Sequence, residues 1–129
     1  MIVDASAVMA ILTQEPEAEL FSRLIATSLH RRISAATFVE VSIVVEARLG
    51  DAGVRTWDAL FRRAELVIEP VTEEQAHIAR QAWSDFGRGR HAAGLNFGDC
   101  FSYALSKVTG EPLLFKGDDF LKAGITSAL

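Results

Sequence analysis

Residues 36–50 read ATFVEVSIVVEARLG, and the fold turns on whether this run is a strand or a helix. Its density of β-branched residues favours a strand on propensity alone. Its length, and Gly50 where a C-cap would fall, favour a buried helix over Ala36–Leu49. Working outward towards the N-terminus, Arg31–Ser34 reads as a short strand. A helix after Pro16 carries Ala18, Leu20, Phe21, Leu24 and Ile25 on its apolar stripe. Ile2-Val3 is a short apolar strand running straight into Asp4, with Ser6 placed to cap a helix over Ala7–Leu12. Towards the C-terminus, helix resumes over Val54–Ala64, and Leu66–Ile68 predicts a buried strand ended by Pro70. Thr72 and Gln75 form a capping box that opens a helix to about Phe86.

The stretch 87–98, GRGRHAAGLNFG, carries four glycines and reads as a loop. Asp99 opens the next helix, which runs to about Val108 before Gly110. Leu113–Phe115 is the last clear strand, Asp118-Asp119 starts a short helix or turn, and residues 124–129 are a candidate edge strand. Short apolar strands alternating with helices predict a mainly parallel sheet covered on both faces. With no repeat, linker or low-complexity segment, residues 1–129 read as a single α/β domain.

Composition narrows the function. The chain has 129 residues, half of them hydrophobic, so it can bury a sizeable core without a disulfide or structural metal. Thirteen basic against 17 acidic residues give a net charge of −4, which excludes a protein that coats nucleic acid through bulk positive charge. It leaves open a nuclease with a local basic patch. Cys100 is the single cysteine, so no internal disulfide forms. The N-terminal stretch lacks a basic n-region, and no uncharged apolar run approaches the roughly 18 residues of a membrane span. The expectation is a soluble, cytoplasmic protein.

Four carboxylates stand out. Asp4 ends the first strand, Asp118 follows the strand 113–115, and Asp99 begins the helix before it; ligands in open α/β sheets sit at such strand ends. Each also has a purely structural reading as a turn or N-cap residue. Glu40 is different, because its helical neighbours Ala36, Val44 and Ala47 are apolar. No Lys or Arg lies within one turn, so it must be paired at a distance or bound to a cation. Oxygen-only ligands suit Mg²⁺ or Mn²⁺. The scattered His30, His77 and His91 and the lone cysteine argue against zinc. A hard cation at a sheet edge serves phosphate chemistry, and a negative substrate needs positive residues on its approach. Arg88, Arg90 and His91 on the glycine-rich loop, and Lys116 before Asp118, are the candidates for that role. A solvated loop is the alternative for the arginine pair.

The opening MIVDASA, Glu40 within TFVEV, LNFGDC around Asp99 and LLFKGDDF around Asp118, in this order, resemble a PIN-domain ribonuclease of the VapC toxin type. The resemblance spans essentially the whole chain and implies a PIN-like three-layer α/β/α fold with a small, mainly parallel sheet. It implies an endoribonuclease toxin that depends on Mg²⁺, with Mn²⁺ able to substitute, and that cleaves a cellular RNA such as transfer or ribosomal RNA. Asp4 and Asp99 then match the principal metal ligands, and Glu40 and Asp118 the remaining acidic members. Ser6 matches a small hydroxyl residue near the first aspartate. The resemblance also implies a homodimer and a cognate antitoxin whose tail blocks the acidic groove. One departure is the adjacency of Asp118 and Asp119, which many relatives separate by one residue. Two other readings are an inactive PIN-like interaction module and a small phosphatase of the haloacid-dehalogenase type. The latter expects a second aspartate two residues after Asp4, where this chain has Ser6.

Overall fold

The run that decides the fold is helical. It forms the first half of α3 (Ala35–Arg63) in the computed structural model, which describes residues 1–129. Gly50 interrupts α3 with φ 64° and ψ −161°, a conformation that other residues rarely adopt. The chain reverses there: the Trp57 indole Nε1 donates to Ser42 Oγ at 3.0 Å, although residues 15 apart on one straight helix would lie about 22 Å apart. Phe38 and Phe61 close the reversal by packing on Trp57, with ring centroids 5.8 and 5.9 Å away.

Four strands form one parallel sheet in the order β3-β2-β1-β4: β1 (Ile2–Val3), β2 (Arg32–Ser34), β3 (Val67–Glu69) and β4 (Leu113–Leu114). Ile2 lies in register with Arg32 on one side and Leu113 on the other. The remaining helices are α1 (Ala5–Leu12), α2 (Ala18–Thr27), α4 (Glu73–Phe86), α5 (Phe97–Thr109) and α6 (Asp119–Lys122). Because side chains alternate across a strand, β1 and β4 each feed two cores. Val3, Ile33 and Leu114 pack with Phe21, Ile25, Val41, Val45 and Trp57 on the side of α1, α2 and α3. Ile2 and Leu113 pack with Ala79, Leu95, Ala104, Leu105 and Phe120 on the side of α4, α5 and α6. The result is the expected three-layer α/β/α arrangement.

Three local expectations need correction. The segment 66–68 is not a buried strand: Leu66 is buried, but Val67 and Ile68 are 53% and 40% exposed. β3 is an edge strand, paired on one side only, so periodicity alone overstated its burial. The C-terminal residues add a single parallel bridge, Leu113 to Ser127, rather than a full strand. Finally, α5 starts two residues before Asp99, with Asn96 as its N-cap. No helix is long and apolar enough to cross a membrane.

Candidate metal centre

The carboxyl ends of β1 and β4 meet the first turns of α1 and α5, and the acidic residues gather there. Asp4 leaves β1 in extended conformation and is itself the N-cap of α1, a role the sequence had suggested for Ser6. Its Oδ2 accepts from the Ser6 amide at 3.0 Å and the Ser6 hydroxyl at 2.7 Å. Its Oδ1 accepts from Ser102 Oγ on α5 at 2.6 Å, and Ser102 lies 3.2 Å from Thr37 Oγ1 on α3. All three residues are buried, so the Asp4 carboxylate is fixed by hydroxyl groups from two different helices. Ser6 Oγ also accepts from the Lys116 amide at 3.0 Å, which ties the start of α1 to the end of β4.

Asp99 is the third residue of α5 and completes a capping box: its Oδ2 accepts from the Asn96 amide at 3.0 Å, while Asn96 Oδ1 accepts from the Asp99 amide at 2.8 Å. Burial pushes the Asp99 carboxyl up to about 6, against the pull of the Asn96 hydrogen bond. The negative charges of Asp4 and Asp119 add to the rise, and the Arg88 guanidinium opposes it. Glu40, on the α3 face that also carries Thr37, is raised first by burial and then by Asp4 and Asp99. Its carboxylate lies against Gly98, where a Cβ would come within 2.0 Å of Oε2.

The structure therefore brings Asp4, Glu40 and Asp99 together and sets the charge of Asp119 beside Asp99. Asp118 is turned elsewhere. Its side chain is largely exposed and lies 3.3 Å from Lys122 Nζ, one turn along α6. The reason is geometric: Asp118 is the N-cap of α6, outside its first turn, and Asp119 is the first residue inside it. The basic candidates also divide. Arg88 is exposed and close enough to Asp99 for its charge to be felt. Arg90 is exposed further along the same loop, which the Arg88 amide pins to Leu95 O at 2.9 Å. Lys116 is drawn away from the acidic residues, with Nζ 2.5 Å from Glu15 and 3.6 Å from Glu17.

The donor chemistry fits a hard divalent cation. Asp4, Glu40, Asp99 and Asp119 form no salt bridge with any Lys or Arg, and only the charge of Arg88 offsets the repulsion at Asp99. They do not close on one point; no three acidic, histidine or cysteine side chains form a ready-made cage. Cys100 contributes nothing to such a set, because burial pushes its thiol up to about 11. An apolar cleft of about 520 Å³ between α4 and α5, lined by Trp83, Phe97, Cys100 and Phe101, contains none of the four carboxylates.

Sequence reasoning missed Ser102, Thr37 and Gly98, and placed Asn96 only in the segment leading into Asp99. Two of these had a signal. Ser102 falls three residues after Asp99 and Thr37 three before Glu40, spacings that share a helix face.

Similarity to known proteins points to one family. The PIN domain model matches residues 1–125. A VapC ribonuclease of Mycolicibacterium smegmatis is 50% identical over 120 residues, covering 93% of each chain. The ribonuclease VapC28 of Mycobacterium tuberculosis is 50% identical over 130 residues, covering 100% of this chain and 98% of its own. Among solved structures, the sarcin–ricin loop cleaving toxin VapC20 of Mycobacterium tuberculosis superposes with a TM-score of 0.74 at 22% identity, over 97% of this chain and 95% of its own. A parallel sheet with acidic residues gathered at its carboxyl edge, matched along nearly its whole length, places this chain in the PIN-domain family, among the VapC ribonucleases.

Proposed function

We propose that this chain is an endoribonuclease toxin that hydrolyses phosphodiester bonds of a structured cellular RNA, transfer or ribosomal RNA, with Mg²⁺ as its cofactor and Mn²⁺ able to replace it. The observation that carries this reading is the set Asp4, Glu40, Asp99 and Asp119. These are four oxygen donors at the carboxyl end of a parallel sheet, none of them in a salt bridge with a cation of the chain. The names of the relatives at 50% identity point to the same chemistry.

In this reading Asp4 and Asp99 are the principal ligands, each pre-oriented by its own hydrogen bonds. Glu40 and Asp119 complete the set directly or through water. A bound divalent ion supplies charge neutralisation of the scissile phosphate and a more acidic water. With an ion held by Asp4 and Asp99, Glu40, half-buried beside them, would be placed to accept a proton from the attacking water. Arg88, displayed on its pinned loop beside Asp99, offers positive charge to an incoming phosphate, and Arg90 extends that charge along the backbone. Lys116 fits this role less well, because Glu15 and Glu17 already hold it.

The chain acts as a homodimer held in check by a cognate antitoxin. Phe97, 78% exposed, and Ile43 provide apolar surface beside Glu40 for such contacts. The test is cleavage of total RNA by the purified chain with EDTA, with added Mg²⁺ and with added Mn²⁺, beside Asp4→Asn as control. Cleavage should vanish in EDTA, return with either ion, and stay absent in the variant. Undiminished cleavage in EDTA would refute the metal mechanism.

A further inference from the structure

Glu40 reaches the acidic cluster on a side chain whose carboxylate no hydrogen bond orients; only burial and the charges of Asp4 and Asp99 act on it. Something else must set its position. A Cβ built at Gly98 would lie 2.0 Å from Oε2, 2.6 Å from Cδ and 2.7 Å from Oε1 of Glu40. All three atoms of the carboxylate thus occupy the space a side chain at position 98 would need. The backbone gives no reason for glycine here. Gly98 lies in the first turn of α5, and it is not among the glycines with positive φ. A helix disfavours glycine relative to alanine, so its presence calls for a local cause. The carboxylate of Glu40 is that cause.

We propose that Gly98 is a positioning residue: its missing side chain forms the seat that directs the Glu40 carboxylate towards Asp4 and Asp99. The inference rests on the reading of this acidic cluster as the nuclease centre. A carboxylate forced out of the seat must withdraw by at least about 1 Å, a displacement that can cost a hundredfold in rate. The fold itself should tolerate the change, since the obstacle is the free end of a flexible side chain.

The test compares Gly98→Ala, Glu40→Gln and Glu40→Asp, alone and combined, by melting temperature, by Mn²⁺ affinity and by RNA cleavage. Gly98→Ala should melt at or above the wild-type temperature, bind Mn²⁺ more weakly and cleave about a hundredfold more slowly. Adding Glu40→Asp shortens the side chain by one methylene and should recover about tenfold of that loss. Wild-type cleavage by Gly98→Ala, or losses that simply multiply in the double variant, would overturn the inference. If Gly98→Ala melts well below wild type, the same change in a Glu40→Ala background should be free of that loss; a persistent loss there overturns the assignment as well. Full activity in Glu40→Gln would instead remove Glu40 from the centre and undo the reading beneath. An inactive Glu40→Gln beside a fully active Gly98→Ala would sink the positioning role alone.

Discussion

Ser102→Ala should be more damaging than any other loss of a single hydroxyl in this protein. Ser102 is fully buried and donates at 2.6 Å to Asp4, itself only 3% exposed. Truncation leaves Asp4 Oδ1 without its donor and takes a partner from Thr37. A hydrogen bond to a charged group contributes about 1.5–3 kcal/mol, and alanine's better helix propensity returns roughly 0.5. The net loss is then about 2 kcal/mol. With an unfolding entropy of about 2.1 cal/mol/K per residue, a chain of 129 residues should melt about 7 °C lower. The assay is calorimetric melting in EDTA at pH 7.5, repeated in an Asp4→Asn background. There the bond is neutral rather than charge-assisted, and Ser102→Ala should cost only about 1 kcal/mol. Cleavage per folded molecule should fall at least about tenfold, as it does when a ligand loses its supporting hydrogen bond. A melting shift below about 2 °C, or the same shift in both backgrounds, would show that Ser102 does not hold Asp4.

Other outcomes follow from the same geometry. Asp119→Asn should reduce metal-dependent cleavage strongly, while Asp118→Asn, which loses an exposed pair with Lys122, should change stability by less than about 1 kcal/mol and leave cleavage intact; parallel activity and melting measurements decide between them. Asp99 binds its proton more tightly folded than unfolded, so it makes the metal-free protein less stable as pH rises from about 4 to about 6. After discounting for its partial exposure, Asp99→Asn should therefore gain about 1 kcal/mol over wild type at pH 7.5 and nearly nothing at pH 4; a gain independent of pH would contradict the assignment. Arg88→Ala should weaken RNA binding and lower its log–log salt slope by about 0.7–0.9, as loss of one phosphate contact requires, and an unchanged slope would exclude such a contact.

Much of this protein was legible in the order of its residues. The alternation of short apolar strands with helices dictated a parallel α/β sheet, because such strands need helices on both faces. Gly50 marked the break in α3, because few other residues adopt its backbone angles. Asp4, Glu40 and Asp99 were recognisable as carboxylates with a strand end, an apolar helix face and a helix start around them. What the sequence left open was settled by packing between elements distant along the chain. Burial of β3 depended on which strand became the edge, a property of the whole sheet. Whether Asp118 or Asp119 approaches Asp99 depended on where α6 begins relative to α5. Lys116, a candidate for meeting the substrate's negative charge, is held instead by Glu15 and Glu17, which the connection from α1 to α2 brings to it. The hydroxyl of Ser102 and the bare backbone of Gly98 acquire meaning only when α5 lies across Asp4 and Glu40. Local patterns fix which residues face inward, but charges and hydroxyl groups act over a few ångströms, and only the tertiary fold decides which of them come that close.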